Sequence, residues 1–269
     1  MNYARVKAVA RKDIGEITAH SAVVIPMIIV PTILCVMLPV VMTVLVFTLD
    51  VTMIQGAELI KRILPFYPIP GALESINARI LYVFLNYSFI PLFLVVPLMV
   101  SSIIAANSVV GEKERGTLET LLYTPLTNRE LMVGKLAAAF VPAVAISVLS
   151  FILFAAAVNI SSHLTAGIAM LRAPLWIAAV LLLSPAVSFL GLVVTMLVSV
   201  RAKSFMAAQQ IAGLLVLPLV ALVVVQMAGA VILNMFLVVA AAVALFAVGA
   251  GLLLYVAPRF TRERIIATL

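Results

Sequence analysis

Residues 84–135 read FLNYSFIPLFLVVPLMVSSIIAANSVVGEKERGTLETLLYTPLTNRELMVGK, and the change of character inside this stretch decides the fold. The part from Phe84 to Val110 carries no charge. A helix crosses the hydrocarbon core of a bilayer in about 20 residues, so this run is one transmembrane helix. From Gly111 to Lys135 the chain turns charged, turn-rich and patterned. A polar island of this kind cannot lie in lipid. It has to meet water or another protein, and it is where the chain can be addressed from outside the bilayer.

The rest of the chain repeats the first half of that pattern. Of 269 residues, 65% are hydrophobic and 10% are charged, against about 25% charged in a soluble domain. Mean hydropathy is +1.30. Uncharged apolar runs lie at 21–49, 84–110, 136–159, 173–200 and 204–257. The first four hold one span each. The last is long enough for two and is expected to turn near Gln226–Asn234, where polar residues and glycine interrupt it. The expectation is an all-α polytopic membrane protein in one domain over 1–269. Its six transmembrane helices fall at 21–49, 84–110, 136–159, 173–200, 205–228 and 235–257.

Lysine and arginine set the orientation, because cytoplasmic loops carry their excess. Arg5, Lys7, Arg11, Lys12, Lys113, Arg115, Arg129, Lys135, Arg201, Lys203, Arg259, Arg262 and Arg264 fall on one side of this topology; Lys61, Arg62, Arg79 and Arg172 fall on the other. The first side is read as cytoplasmic, with both termini on it. The net charge of +7 is then largely topological. It does not mark a nucleic-acid partner, because no basic–aromatic constellation stands apart from the membrane flanks.

Residues 1–20 set Val6, Val9, Ala10, Ile14 and Ile17 near helical spacing, with Arg5, Lys7, Arg11 and Lys12 between them. That suits an amphipathic helix on the cytoplasmic surface ahead of the first span. The apolar run behind it is too long for a signal peptide, so it is expected to stay as a span. On the other side, 50–83 is the one sizeable external segment. LPFYPIPG at 64–71 breaks it with three prolines. Its flanks are expected to form short interfacial helices that set Phe66, Tyr67 and Tyr82 at headgroup level.

The chemistry-bearing motifs of enzymes are missing. Gly134-Lys135 is followed by Leu136, and position 129 is arginine where a P-loop needs glycine. There is no HExxH and no G-x-S-x-G. His20 and His163 fall at opposite faces, and Cys35 stands alone inside an apolar run. The expected spans hold no Asp, Glu, Lys, Arg or His, the usual marks of proton relays and ion paths. Transport by such a bundle needs an energy source outside the spans. Prolines recur instead, among them Pro26, Pro31, Pro39, Pro91, Pro97, Pro142, Pro185 and Pro218, each removing a backbone hydrogen bond and able to kink its helix. Thr43, Ser147, Ser150 and Thr195 either line a path or bond their own helix backbone.

Within the island, Gly111 and Gly116 bracket Glu112, Lys113, Glu114 and Arg115, which are expected to end the second span in water. Thr117–Tyr123 reads as a short helix whose Leu118, Leu121 and Leu122 share one face. Glu114 and Glu119 lie near its N-terminal half, where the helix dipole favours anions. Pro125 stops it. Thr127 and Glu130 match a capping box that starts the next helix at about 128. An apolar-faced helix held outside the bilayer wants a groove on a partner.

The run E-K-E-R-G-T-L-E-T-L-L-Y-T-P-L-T-N-R-E-L-M-V-G-K resembles the cytoplasmic signature of the ABC-2 type permeases, the membrane subunits of many ABC exporters. It is carried by Glu112, Glu114, Gly116, Thr117, Leu118, Glu119, Leu121, Leu122, Pro125, Glu130, Leu131, Gly134 and Lys135. The resemblance implies a permease that couples ATP hydrolysis in a separate subunit to movement of a substrate, as an exporter in the plasma membrane. It implies that 1–20 is an elbow helix, that 111–135 is a cytoplasmic coupling loop, and that the helix at 115–124 docks on the ATP-binding subunit. The residues implied to make that contact are Glu112, Glu114, Gly116, Thr117, Leu118, Glu119, Leu121, Leu122 and Pro125. Two ATP-binding subunits would serve a homodimer or pseudo-symmetric heterodimer of permeases. ATP and Mg would bind there, and this chain would bind no cofactor and catalyse nothing. The alternative is a membrane anchor or assembly protein that docks a cytoplasmic partner without transport.

Overall fold

The structure, a computed structural model, describes every residue except 1, 50–61, 72, 117–126, 168–169, 172, 200, 203 and 257–269. It is helical throughout, with no strand among the described residues. Among the described residues, helix α1 (Tyr3–Ala19) precedes six helices long and apolar enough to cross a membrane. These are α2 (Val23–Thr48), α3 (Ile76–Glu114), α4 (Arg129–Thr165), α5 (Pro174–Ser199), α6 (Phe205–Met227) and α7 (Met235–Tyr255). The chain is thus the expected all-α polytopic membrane protein.

Helices α3 and α4 run well beyond the expected 84–110 and 136–159. At about 1.5 Å per residue, each exceeds the hydrocarbon thickness of about 30 Å by several turns. Their extra turns take in both ends of the polar island, so the charged stretch is partly helix packed inside the protein. α3 forms the centre of the bundle, with most of its length buried, and α4, α5 and the first turns of α6 pack around it. α7 packs on α5, and α1 lies along the start of α4.

Helix association in lipid gains little from the hydrophobic effect and relies on packing. An aromatic stack supplies it between α3, α4 and α5. Phe89 stacks on Phe154 at 4.8 Å, and Trp176 lies 4.5 Å from Phe154 and 5.4 Å from Phe93. Each such pair contributes about 0.5–1.5 kcal/mol beyond area. The hydroxyls of Thr43, Ser150 and Thr195 donate to the carbonyls of Pro39, Ile146 and Gly191, one turn back on their own helices. Ser147 instead meets Ser184 across α4 and α5 at 2.6 Å.

Among the described residues, four wide, π-helical turns interrupt the spans at Ile33–Met37, Phe84–Ser88, Asn107–Gly111 and Ala179–Leu183. Three have a proline behind them. A proline ring collides with the carbonyl four residues earlier. For Pro39, Pro91 and Pro185 that residue is Cys35, Tyr87 and Leu181, each inside a wide turn. Widening the turn moves the carbonyl aside.

At the end of the bundle far from α1, the 64–71 segment departs from expectation. Leu64–Phe66 is a single tight turn. Phe66 is exposed, but Tyr67 and Tyr82 are buried. Tyr67 packs edge-on to Tyr87 at 5.0 Å and donates its hydroxyl to the Gln226 carbonyl at 2.9 Å. The proline-rich segment therefore folds inward over the end of α6. Between Met227 and Met235 the chain is turn and irregular structure, with no helix.

Candidate functional site

The chemistry of this chain gathers where α1, α3 and α4 meet. The apolar face expected on α1 is the packed one: Val9 and Ile17 are buried, and Val6, Ala10 and Ile14 are partly so. Asp13 sits in the same stripe, buried between Val9 and Ile17. A carboxylate there needs partners, because an unpaired buried charge is costly. It finds two. Ser108 of α3 donates its hydroxyl to Asp13 at 2.6 Å, and the Lys135 ammonium of α4 lies 3.5 Å away.

Lys135 is fully buried. Its ammonium donates to Glu112 at 2.6 Å, to the Ser108 carbonyl at 2.5 Å and to the Ser108 hydroxyl at 3.0 Å. The wide turn at Asn107–Gly111 presents that carbonyl. Glu112, also fully buried, takes a second bond from Lys12 of α1 at 2.5 Å. Lys12 in turn reaches Glu16 at 3.1 Å, and Arg115 reaches Glu16 at 3.8 Å. The three carboxylates Asp13, Glu16 and Glu112 lie close enough together to hold a cation. Three cationic side chains, Lys12, Lys135 and Arg115, already meet them, so the junction is closed in charge. Burial opposes the charge on Lys12, but the hydrogen bond to Glu112 and the Glu112 charge outweigh it. The Lys12 pKa therefore lies above its ordinary value.

A second contact fastens the start of α4 to α1. The capping box forms as expected: Glu130 N–H donates to Thr127 Oγ1 at 3.2 Å, and Thr127 N–H to Glu130 Oε2 at 3.0 Å. The other Glu130 oxygen accepts the Asn2 N–H at 2.7 Å, and Arg5 lies 3.9 Å from Oε2. One carboxylate thus caps α4 and holds the N-cap residue of α1. Gly134 explains how closely the two helices approach. A Cβ there would stand 2.8 Å from Val9 Cβ and Cγ1 and 3.3 Å from the Val6 carbonyl.

Glu114 lies at the surface and accepts the Phe205 N–H at 3.1 Å. That N–H opens α6, where helical donors lack partners and the dipole favours an anion. Arg115 reaches Asn107 at 3.3 Å and His20 at 3.4 Å. Gly116 then leaves the helix with φ +69, a left-handed conformation glycine adopts without strain. The polar contacts therefore bind α1, α3, α4 and α6 at one end of the bundle.

Of the residues singled out in the sequence, Glu112 faces inward, and Glu114 and Gly116 lie at the surface. Glu112 was expected in water; the extension of α3 and the arrival of α1 enclose it instead. Thr117, Leu118, Glu119, Leu121, Leu122 and Pro125 lie outside the described residues. Sequence reasoning missed Asp13, Ser108 and Lys12. Asp13 had a readable signal, as the one carboxylate in an otherwise apolar stripe.

A family model described as ABC-2 family transporter protein matches residues 81–250. That match spans α4 to α6 whole, nearly all of α3 and most of α7. No curated protein matches the chain. The match covers more than half of the chain and includes both flanks of the polar island, so the protein belongs to the ABC-2 family of transporter proteins.

Proposed function

We propose that this chain is the permease subunit of an ATP-driven exporter, working with separate ATP-binding subunits that dock on residues 115–124 of the 111–135 loop. The observation that carries the reading is the charge junction. The residues just before 117 and just after 126 are fixed to each other and to α1 through Glu112, Lys135, Asp13 and Glu130. A push on the intervening segment then reaches α3 and α4 as one load, with α1 and α6 attached. Glu112 serves inside this linkage, and Leu118, Leu121, Leu122 and Glu119 form the docking face. The lysine and arginine bias supports a cytoplasmic location for both termini and this segment; the membrane in this reading is the plasma membrane. Two copies of the permease and two ATP-binding subunits make the working unit, with ATP and Mg bound on the latter.

The test is Leu118→Asp and Glu119→Lys in the chain co-expressed with its ATP-binding subunit. Each variant inserts normally and loses stimulation of ATP hydrolysis. If either retains a full complement of the ATP-binding subunit and wild-type stimulation, the docking face is elsewhere.

A further inference from the structure

The outer face of α1 carries two charges that the junction does not use. The helix turns Val9, Asp13 and Ile17 inward. Both of its carboxylates, Asp13 and Glu16, are drawn to the junction, and so is Lys12. Arg5 reaches Glu130 at the start of α4. Lys7 and Arg11 remain. Both are exposed, and among the described residues neither meets a carboxylate. They stand one turn apart, at i and i+4, where like charges destabilise a helix. Tyr3, one turn further back on the same line, is 78% exposed. Ala4, Ala8, Gly15 and Thr18 complete this face, which holds no acidic residue.

The position of α1 sets what this face meets. From Asn2 to Asp13 the chain advances roughly 16 Å along α1, yet its polar contacts on α4 run only from Glu130 to Lys135, about 8 Å of that helix. Two helices lying side by side advance together, so α1 crosses the end of α4 obliquely. These contacts border the apolar run that begins at Leu136. At its other end α1 passes through His20 directly into α2, whose span begins at Val23. The helix thus lies where hydrocarbon gives way to headgroups, a layer about 5–8 Å deep on each side of a bilayer. At that level, exposed basic side chains attract anionic lipid, and a tyrosine ring sits among the headgroups.

We propose that the outer face of α1 binds an anionic phospholipid, with one headgroup phosphate shared by the Lys7 ammonium and the Arg11 guanidinium and the Tyr3 ring beside them. The guanidinium offers two parallel N–H donors to a phosphate, and the ammonium adds a point charge. The phosphate removes the repulsion between the two cations and holds α1 over the ends of α3 and α4. A zwitterionic headgroup brings an ammonium of its own, which opposes both side chains, so the face selects anionic lipid. The site stands independently of transport and is measured without nucleotide.

The full chain carries a fluorophore on Ala8→Cys, with the buried Cys35 left in place, in nanodiscs of phosphatidylcholine and phosphatidylglycerol in equal parts. Bromine near the headgroup end of the acyl chains is placed on one lipid or the other, and quenching reports how often each sits beside α1. One basic side chain near a membrane surface favours anionic lipid by about five-fold. Phosphatidylglycerol is therefore preferred at α1 by at least about five-fold, and the preference falls as salt rises. Lys7→Gln with Arg11→Gln changes exposed side chains only and brings the ratio to unity. Arg201→Gln, which removes an exposed charge from the turn between α5 and α6, leaves it unchanged. Equal quenching by the two lipids in the native chain overturns the proposal. A preference that survives the double substitution overturns it too, and if that variant also loses the ATP-binding subunit the face belongs to an acidic protein surface. An equal loss in Arg201→Gln refutes a site at α1 in favour of general surface charge.

Discussion

Replacing Lys135 by methionine removes one ammonium from a fully buried position and keeps a chain of similar length. In the native junction that ammonium touches Glu112 at 2.6 Å, Asp13 at 3.5 Å and both oxygens of Ser108. Without it, two buried carboxylates share Lys12, which is about one-third exposed. Removing one partner of a buried ion pair costs about 3–5 kcal/mol, largely because the other is left uncompensated. Glu112→Leu should cost a similar amount by stranding Lys135. The double variant differs in kind. Asp13 and Glu16 then face Lys12 and Arg115, two charges of each sign, and a methionine and a leucine pack in place of the pair. Replacing a whole buried pair by apolar groups is often neutral, so the double variant should lie closer to wild type than either single. The assay is equilibrium unfolding in mixed micelles with rising dodecyl sulfate, followed by helical circular dichroism. A cost under about 1 kcal/mol for Lys135→Met refutes the reasoning, and so does a double variant equal to the sum of the singles, about 6–10 kcal/mol.

Gly134→Val should force α1 away from α4, since its Cβ would meet Val9 at 2.8 Å. Overpacking of this kind costs about 1–3 kcal/mol, and amide exchange across residues 3–19 should quicken while the middle of α4 is unchanged. Equal exchange rates in the two proteins would show that the close approach is unimportant. The raised pKa of Lys12 gives a pH signature. A cation whose folded pKa is raised contributes stability that is fully present below its ordinary value of 10.5 and is lost as pH rises through the folded value. Micelle unfolding should therefore show no Lys12-dependent change from neutral pH to about 10.5 and a loss above it. Lys12→Gln should lack that alkaline limb, and a variant that keeps it would assign the limb to another group.

The spans were legible because lipid tolerates no charge, so the charged residues mark where each helix leaves it. Thr127 and Glu130 were legible for a similar reason, as a short-range pattern with one geometric solution. The junction was not. Asp13 and Ser108 are 95 residues apart and Lys12 and Glu112 are 100 apart, and no local period encodes such a meeting. Lys135 was read as a cytoplasmic charge closing the polar island, because its distance from the apolar run says nothing of whether another helix will cover it. Tyr67 and Tyr82 were placed at headgroup level on amphipathic character, but the partner that drew Tyr67 inward is a carbonyl 159 residues away. Prolines announced lost hydrogen bonds, yet sequence does not say whether a backbone answers by bending or by widening its turn.

The two wide turns of α3 have a mechanical consequence. They bracket residues 89–106, and each coincides with an anchorage. Asn86, in the first, donates to the Met170 carbonyl at 2.7 Å; Ser108, in the second, is held by Asp13 and Lys135. A π turn carries surplus backbone relative to an α turn. Pro91 keeps the first wide turn open, and Phe89 and Phe93 are locked against Phe154 and Trp176. Residues 89–106 are thus a shaft clamped at both ends, which passes a displacement at Ser108 on toward Asn86 as one piece. Spin labels at mid-segment should keep their distances to labels beside Asn86 and Ser108.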